Sequence, residues 1–174
     1  MEITMTTENQ ANEIVEVAQN QVAEIVQSET EDYVVLKDAE GKFHRKAKFK
    51  NYTSVVAKTK QDKIWLLNLM EGNEESGNGL KSHVGQQITI ANVITRRYDK
   101  INEETGQTEY GVLTYLITPD KIAYVTSSKT VYFSIVRIME TFGTPDSEEW
   151  ENILIKVGKQ KGLNGDIITI KMIG

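Results

Sequence analysis

The chain is 174 residues long and acidic, with 25 Asp and Glu against 20 Lys and Arg, and it contains no cysteine. Its length suits one domain, or one domain with an appendage, and an apolar content of 39% argues against global disorder. The lack of cysteine excludes disulfides, thiolate metal sites and cysteine nucleophiles. No apolar run reaches the ~20 residues that cross a bilayer, and residues 1–10 lack the basic and apolar regions of a signal peptide. The composition therefore predicts a cytoplasmic protein without membrane contact.

The charge is unevenly distributed along the chain. Residues 1–40 carry ten acidic residues and one basic residue, whereas residues 41–70 carry eight basic residues and one acidic residue. A domain can bind an anion through one basic face while its overall charge stays negative. The segment GKFHRKAKFKNY, residues 41–52, combines five basic side chains with three aromatic ones and predicts such a face.

The first element in chain order is an amphipathic helix over residues 9–29. One stripe of this helix would carry small apolar side chains at alternating spacings of four and three, namely Ala11, Val15, Ala18, Val22 and Ile25. A stripe of small side chains makes a weak core by itself, so the helix is expected to pack on its own domain or on another copy. We therefore divide the chain into an acidic segment, residues 1–32, and a globular domain, residues 33–174, with possible self-association through residues 9–29.

From residue 33 onward the apolar period changes to two, which predicts strands. Asn92 interrupts the alternation of its strand and indicates a bulge or bend. A single helix is predicted at residues 127–143, capped by Ser127 or Ser128 and ended by Gly143. The predicted strands lie at residues 33–38, 46–52, 84–98, 110–118, 122–126, 151–158 and 166–173, with an additional hairpin over residues 52–70.

The order of elements from residue 84 onward is three strands, one helix and two strands. This is the order of the OB-fold, a five-stranded Greek-key barrel with one helix at its end, and a long bent first strand suits it. The predicted fold class is therefore mainly β: an OB-fold barrel with an additional N-terminal β-hairpin and an N-terminal amphipathic helix.

The sequence offers little for catalysis. His44 and His83 stand outside any metal-ligand spacing, and no phosphate-binding loop joins a strand to a helix. The serines before Lys129 lack the spacing of a nucleophile–lysine pair and are better explained as helix caps. We therefore expect a protein that is not an enzyme and that has no metal or cofactor.

Aromatic and basic residues remain, and together they predict binding of a single-stranded nucleic acid. Bases stack on aromatic faces while lysine and arginine follow the phosphates. In alternating strands about half of such aromatics are core residues, and we expect this for Tyr115 and Trp65. The candidate binding residues are Phe43, Arg45, Lys46, Lys48, Phe49, Lys50, Tyr52, Lys58, Arg96, Arg97, Tyr98, Tyr110, Lys121 and Tyr124.

Three stretches of the chain resemble the single-stranded DNA-binding proteins of phages and conjugative elements of Gram-positive bacteria. They are NYTSVVAKTKQDKIWLLNLMEG, LKSHVGQQITIANVI and YVTSSKTVYFSIVRIMETFGTP, at residues 51–72, 80–94 and 124–145. The resemblance spans about residues 45–174 and implies an OB-fold that coats single-stranded DNA without reading its sequence, during phage replication or plasmid transfer. It also implies that the binding surface includes residues 52–70, 94–98 and 110–124.

Two functions follow as hypotheses. The leading one is non-enzymatic, sequence-nonspecific binding of single-stranded DNA, with RNA as a possible partner because 2′-hydroxyl contacts are not visible in a sequence. The alternative is a protein-interaction module that oligomerises or docks through its N-terminal helix. Deleting that helix discriminates between them, since only the second function depends on it.

Overall fold

The computed structural model describes residues 25–29, 33–71, 78–101, 103–104, 106 and 108–174. The chain divides into two compact units, Met1–Lys48 and Phe49–Gly174. The boundary predicted after residue 32 stays a prediction, since residues 30–32 lie outside the described part. In the part of the chain that is described, no helix is long and apolar enough to cross a membrane.

The described part of the first unit is a three-stranded antiparallel sheet in the order β1–β2–β3. Its strands are β1 (Ile25–Glu29), β2 (Tyr33–Lys37) and β3 (Phe43–Ala47). The helix predicted over residues 9–29 is therefore wrong for residues 25–29, and its remainder lies outside the described residues. The physical reason is the pairing of β1 with β2, in which Ile25 lies opposite Lys37, because sheet pairing overrides a weak helical period.

The second unit contains the predicted run of three strands, one helix and two strands. The described elements are β4 (Tyr52–Thr53), α1 (Lys60–Met70), β5 (Asn78–Gly79), a 3-10 helix (Leu80–His83), β6 (Gln87–Ile90), β7 (Asn92–Ile101), β8 (Thr108–Ile117), β9 (Ala123–Thr126), α2 (Lys129–Phe142), β10 (Ile153–Gly162) and β11 (Gly165–Met172). The predicted caps of α2 are confirmed, because the Ser128 side chain accepts from the amide of Val131 and Gly143, at φ 81°, ends the helix.

The β-hairpin predicted over residues 52–70 is wrong, because most of this stretch forms helix α1. Thr59 and Asp62 form a capping box: the Thr59 hydroxyl accepts from the Asp62 amide, and the Asp62 carboxylate accepts from the Thr59 amide, both at 3.0 Å. The predicted alternation also fails, since Leu69 is 2% exposed while Leu67 is 56% exposed. The cap and the burial of one helix face therefore outweigh the period-two pattern.

The strands of the second unit form two sheets that do not close into a barrel. Their orders are β4–β7–β8–β9–β5 and β11–β10–β6, and β6 passes into β7 through Ala91, where the strand was predicted to bend. Closure would require β11 to pair with β9. Instead β5 runs parallel to β9, with Asn78 opposite Tyr124 and Gly79 opposite Val125, and occupies that edge. The predicted closed barrel is therefore corrected to an open pair of sheets.

Two hydrophobic cores lie on opposite faces of the five-stranded sheet. The inner core joins this sheet to α2 and to the second sheet, and includes Val93, Leu116, Ile135 and Ile155. The outer core joins the other face to α1, and includes Leu69, Ile94, Tyr115 and Ile117, with Trp65 packed against it. The prediction that Tyr115 is a core residue is confirmed, as it is 3% exposed. Alternation along β7 sends Val93 inward and Ile94 outward, so both faces are covered.

Candidate nucleic-acid interface

Strands β7 and β8 continue beyond both cores as a two-stranded arm, which we define as residues 96–101 and 108–113. The pairing runs from Asn92 opposite Ile117 to Ile101 opposite Thr108. Thr95 is still buried at 3%, whereas Arg96, Arg97 and Tyr98 are exposed. Alternation places Arg97 and Tyr110 on the face that continues the inner core, and Arg96 and Tyr98 on the face that continues the outer core.

The inner face of the arm brings together three predicted binding residues. The guanidinium carbon of Arg97 lies 4.7 Å from the centroid of the Tyr110 ring. The Lys50–Asn51 segment runs beside β7, because the Thr95 hydroxyl donates to the Lys50 carbonyl and the Arg97 amide donates to the Asn51 side chain, each at 2.7 Å. The exposed Lys50 is thereby held beside an arginine–tyrosine pair, which provides a cation and a flat surface at one place.

The outer face of the arm carries Arg96 and Tyr98. Arg96 Nη1 donates to the carbonyl of Met70 at the C-terminal end of α1. The last carbonyls of a helix lack partners within it, and a cation there also favours the helix dipole. Arg96 therefore fastens α1 to the sheet, whereas Tyr98, which lies opposite Gly111, keeps 38% of its surface exposed.

Lys121 also serves α1. Its Nζ lies 2.5 Å from Asp62 Oδ1, so the turn between β8 and β9 is tied to the first turn of the helix. The hydrogen bond from Lys121, followed by those from Thr59, holds the pKa of Asp62 well below its ordinary value. Lys58 is exposed in the segment that leads to α1. These two lysines thus lie around α1, apart from the arm pair.

Two predicted stacking residues have little or no ring surface available. Phe49 is 6% exposed, and its ring lies 5.3 Å from Tyr132 and 6.1 Å from Phe133 between centroids. Tyr124 is half-buried against the inner core, with its ring 4.7 Å from that of His83. Phe49 is therefore a core residue in this structure, because packing on α2 covers the ring faces that a base would need.

Tyr52 joins β4 to the loop after α2. Its hydroxyl donates to Asp146 Oδ1 at 2.7 Å, and its ring packs against the inner core. Burial, followed by the Asp146 contact, raises the pKa of Tyr52 to about 12. The same hydrogen bond lowers the pKa of Asp146. The contact spans 94 positions of the sequence and fixes the N-terminal edge of the unit.

Tyr52→Phe is expected to lower the unfolding free energy at neutral pH by about 1 kcal/mol, the typical value of one hydrogen bond. The raised pKa of Tyr52 means that its contribution is complete below the unfolded value of 10 and is lost as the pH rises towards about 12. Urea unfolding of both proteins between pH 8 and pH 12 measures this. The stability difference should shrink above pH 10, and a constant difference would contradict the assignment.

The first unit carries its own aromatic and basic residues on strand β3. Phe43 is 65% exposed, and the Nζ of Lys37 lies 5.8 Å from its ring centroid. Arg45 is exposed two residues further along, on the same face by alternation. Lys48 is half-buried, and the side chain of Lys46 lies outside the described residues.

Three residues beside the predicted set were missed by the sequence reasoning. Asn51 holds the Arg97 backbone, Gly111 lies under Tyr98, and the Nζ of Lys129 lies 5.7 Å from the Phe49 ring centroid. An isolated glycine inside a strand signals a close approach of another group and could have indicated Gly111. Nothing in the local pattern marks Asn51 or Lys129. Within the described ranges, no three His, Asp or Glu side chains form a group that could hold a metal ion.

An arm that carries arginine–tyrosine pairs on a β-rich domain is typical of proteins that bind nucleic acids. A family profile described as "Phage Single-stranded DNA-binding protein" matches residues 45–172, and the chain belongs to this family. A single-stranded DNA-binding protein of Bacillus phage GA-1 is 38% identical over 166 residues, which is 94% of this chain and 96% of the relative. No solved structure matches the chain.

Proposed function

We propose that the protein binds single-stranded DNA without reading its sequence and coats it during phage DNA replication. The observation that carries the proposal is the meeting of Lys50, Arg97 and Tyr110 at the base of the arm, at Cζ-to-centroid distance 4.7 Å for the last two. Membership of the phage single-stranded DNA-binding family supports it, as does the name of the GA-1 relative.

The contacts follow from the chemistry of the arm. A base stacks on the exposed plane of the Arg97 guanidinium, which itself rests on Tyr110, and Lys50 beside them neutralises a phosphate. Stacking of this kind tolerates all four bases, since every base has a π-face. On the first unit, the exposed ring of Phe43 and the cations of Lys37 and Arg45 supply a further contact of the same type. The proposed role is binding alone and makes or breaks no covalent bond.

The proposal includes an OB-fold interpretation of the second unit. The order of β6–β7, β8, β9, α2, β10 and β11 is that of the five OB strands with their helix between the third and fourth. In this interpretation β6 and β7 are the two halves of the first strand, β5 keeps the barrel open, and α1 is an addition that covers the outer face of the sheet.

A fluorescent oligothymidine titration tests the function. We expect binding at low salt that weakens steeply as salt rises, because neutralised phosphates release condensed counterions, with a logarithmic slope of about −0.7 for each phosphate contacted. Affinity for the same length of duplex DNA should be much lower, since its bases cannot stack on the protein. An RNA oligonucleotide of matched sequence measures the preference for DNA.

Two results would overturn the function. One is no binding of oligothymidine at low salt, and the other is equal affinity for duplex and single strand. A salt slope near zero would contradict the phosphate contacts alone and leave stacking as the source of affinity.

We also propose that residues 9–24 promote self-association, and that the acidic segment is separable from the binding domain. The apolar stripe of this segment supports the proposal. Removal of residues 1–24 should lower the mass in solution, measured by light scattering, while oligothymidine affinity stays the same or rises because an acidic competitor has been removed. An unchanged mass would exclude self-association through this segment.

A further inference from the structure

The ring of Tyr98 lies across the backbone of Gly111 on the outer face of the arm. The two residues are directly opposite each other in the β7–β8 pair. A Cβ atom built on Gly111 would lie 2.2 Å from Cζ, 2.5 Å from Oη and 2.6 Å from Cε1 of Tyr98. Only a residue without a side chain leaves room for the ring at this position.

These three distances also give the orientation of the ring. Cζ is bonded to both Oη and Cε1, and the point over Gly111 lies nearest Cζ and almost equally far from the other two atoms. A point beyond the edge of the ring would lie much nearer to one of these atoms than to the rest. The ring therefore lies with one face on the glycine, and its exposure of 38% belongs to the parts turned away from the backbone.

We infer that Gly111 is a positioning residue for DNA binding: it lets Tyr98 lie flat on the arm as a shelf on which one base stacks. This inference rests on the proposed function and adds a second stacking site to it. Arg96, two residues earlier on the same face, is held by the carbonyl of Met70 and stands beside the shelf. The arm thus presents an arginine and a tyrosine on each of its two faces.

The shelf is suited to a base because a ring that is already flat and immobile loses little conformational entropy when a base stacks on it. A tyrosine that stood away from the sheet would have to be ordered in the complex. The backbone of Gly111 does not need the left-handed region, since it is not among the glycines with positive φ. Alanine is therefore compatible with the strand itself, and the conflict it creates is with the Tyr98 ring.

A purely structural role makes a different prediction. An aromatic ring that covers a cross-strand glycine also stabilises a strand pair. In that case Gly111→Ala would lower the thermal stability and leave the affinity of the folded protein unchanged. The two roles are separated by measuring affinity at a temperature where every variant is folded.

The experiment compares oligothymidine affinity in four proteins at one low salt concentration: wild type, Tyr98→Ala, Gly111→Ala and the double variant. Loss of one stacked base is expected to weaken binding about tenfold. Gly111→Ala should cause the same loss as Tyr98→Ala, and the double variant should lose no more than either. The matched control is Gly158→Ala in β10, where the new Cβ would meet Thr169 Oγ1 at 2.8 Å, and its affinity should stay within about twofold of wild type.

Wild-type affinity for Gly111→Ala, or losses that multiply in the double variant, would overturn the inference while leaving the proposed function in place. Failure of the wild type to bind oligothymidine would overturn the proposed function itself. If Gly111→Ala does not fold, ultraviolet crosslinking of the wild type to an oligonucleotide containing 5-iodouracil decides the question. A crosslinked peptide that contains Tyr98 supports the shelf, and crosslinks confined to other peptides overturn it.

Discussion

Replacing Lys50 and Arg97 together by glutamate is expected to weaken oligothymidine binding by about a hundredfold or more at low salt. The pair lies where the Lys50–Asn51 segment meets β7, and Arg97 also forms the plane that rests on Tyr110. The substitution removes two phosphate partners, repels the strand and exposes an unsupported tyrosine. The magnitude of the logarithmic salt slope should fall by about 1.4, at about 0.7 for each lost phosphate contact. Titrations at three or more salt concentrations measure both quantities.

The control is Lys156→Glu with Lys171→Glu. These lysines are exposed and lie opposite each other in the β10–β11 pair, so the control produces the same change in net charge at a distant site on the second unit. Its effect should be limited to the long-range field, which is largely screened beyond about 10 Å at 0.1 M salt. Equal losses in the two double variants would show that net charge, and not the arm, governs the affinity.

Leu69→Ala is expected to lower the unfolding free energy of the second unit by about 2–4 kcal/mol. Leu69 is 2% exposed and packs in the outer core with Ile94, Tyr115 and Ile117, so its truncation leaves a cavity between α1 and the sheet. The capping box and the ion pair of Lys121 with Asp62 hold the other end of the helix, but exposed charge pairs contribute little by comparison. Urea unfolding followed by circular dichroism measures the loss.

Leu67→Ala is the matched control, since it makes the same chemical change in the same helix. Leu67 is 56% exposed, and its truncation should change the unfolding free energy by less than about 0.5 kcal/mol. A similar loss in both variants would mean that α1 packs differently from the arrangement described here. A small loss in both would mean that α1 adds little to the stability of the sheet.

The position of α1 has a consequence for binding. It covers the outer face of β7, β8 and β9 up to the level of Arg96, and both Arg96 and Lys121 contact it. DNA can therefore reach the exposed aromatic residues of this sheet only on the arm, beyond the end of the helix. This is the reason that the arm residues have the largest expected effects on affinity.

The strand order and helix α2 could be predicted from local patterns. The serine before α2 and Gly143 after it satisfy the ends of the helix, and those requirements depend on neighbouring residues alone. The alternation in β10 and β11 predicted two paired strands, because one face of each is buried. The bend before Asn92 could be read from the interrupted alternation.

Helix α1 shows where the pattern was ambiguous. Trp65, Leu67 and Leu69 alternate as in a strand, but the threonine and aspartate of the capping box indicated a helix start three residues apart. Short apolar runs fit either structure, and packing of Leu69 into the outer core decided between them.

The candidate site was predictable in its residue types but not in its grouping. Composition alone indicated that aromatic and basic residues would bind a single strand, and it determined the order of strands through their alternation. Only the tertiary structure decided that Phe49 is buried on α2, that Arg96 and Lys121 contact α1, and that Lys50, Arg97 and Tyr110 meet on the arm. The reason is physical: local patterns record which face of an element is buried, whereas these contacts join residues that are tens of positions apart, and their formation depends on how the elements pack.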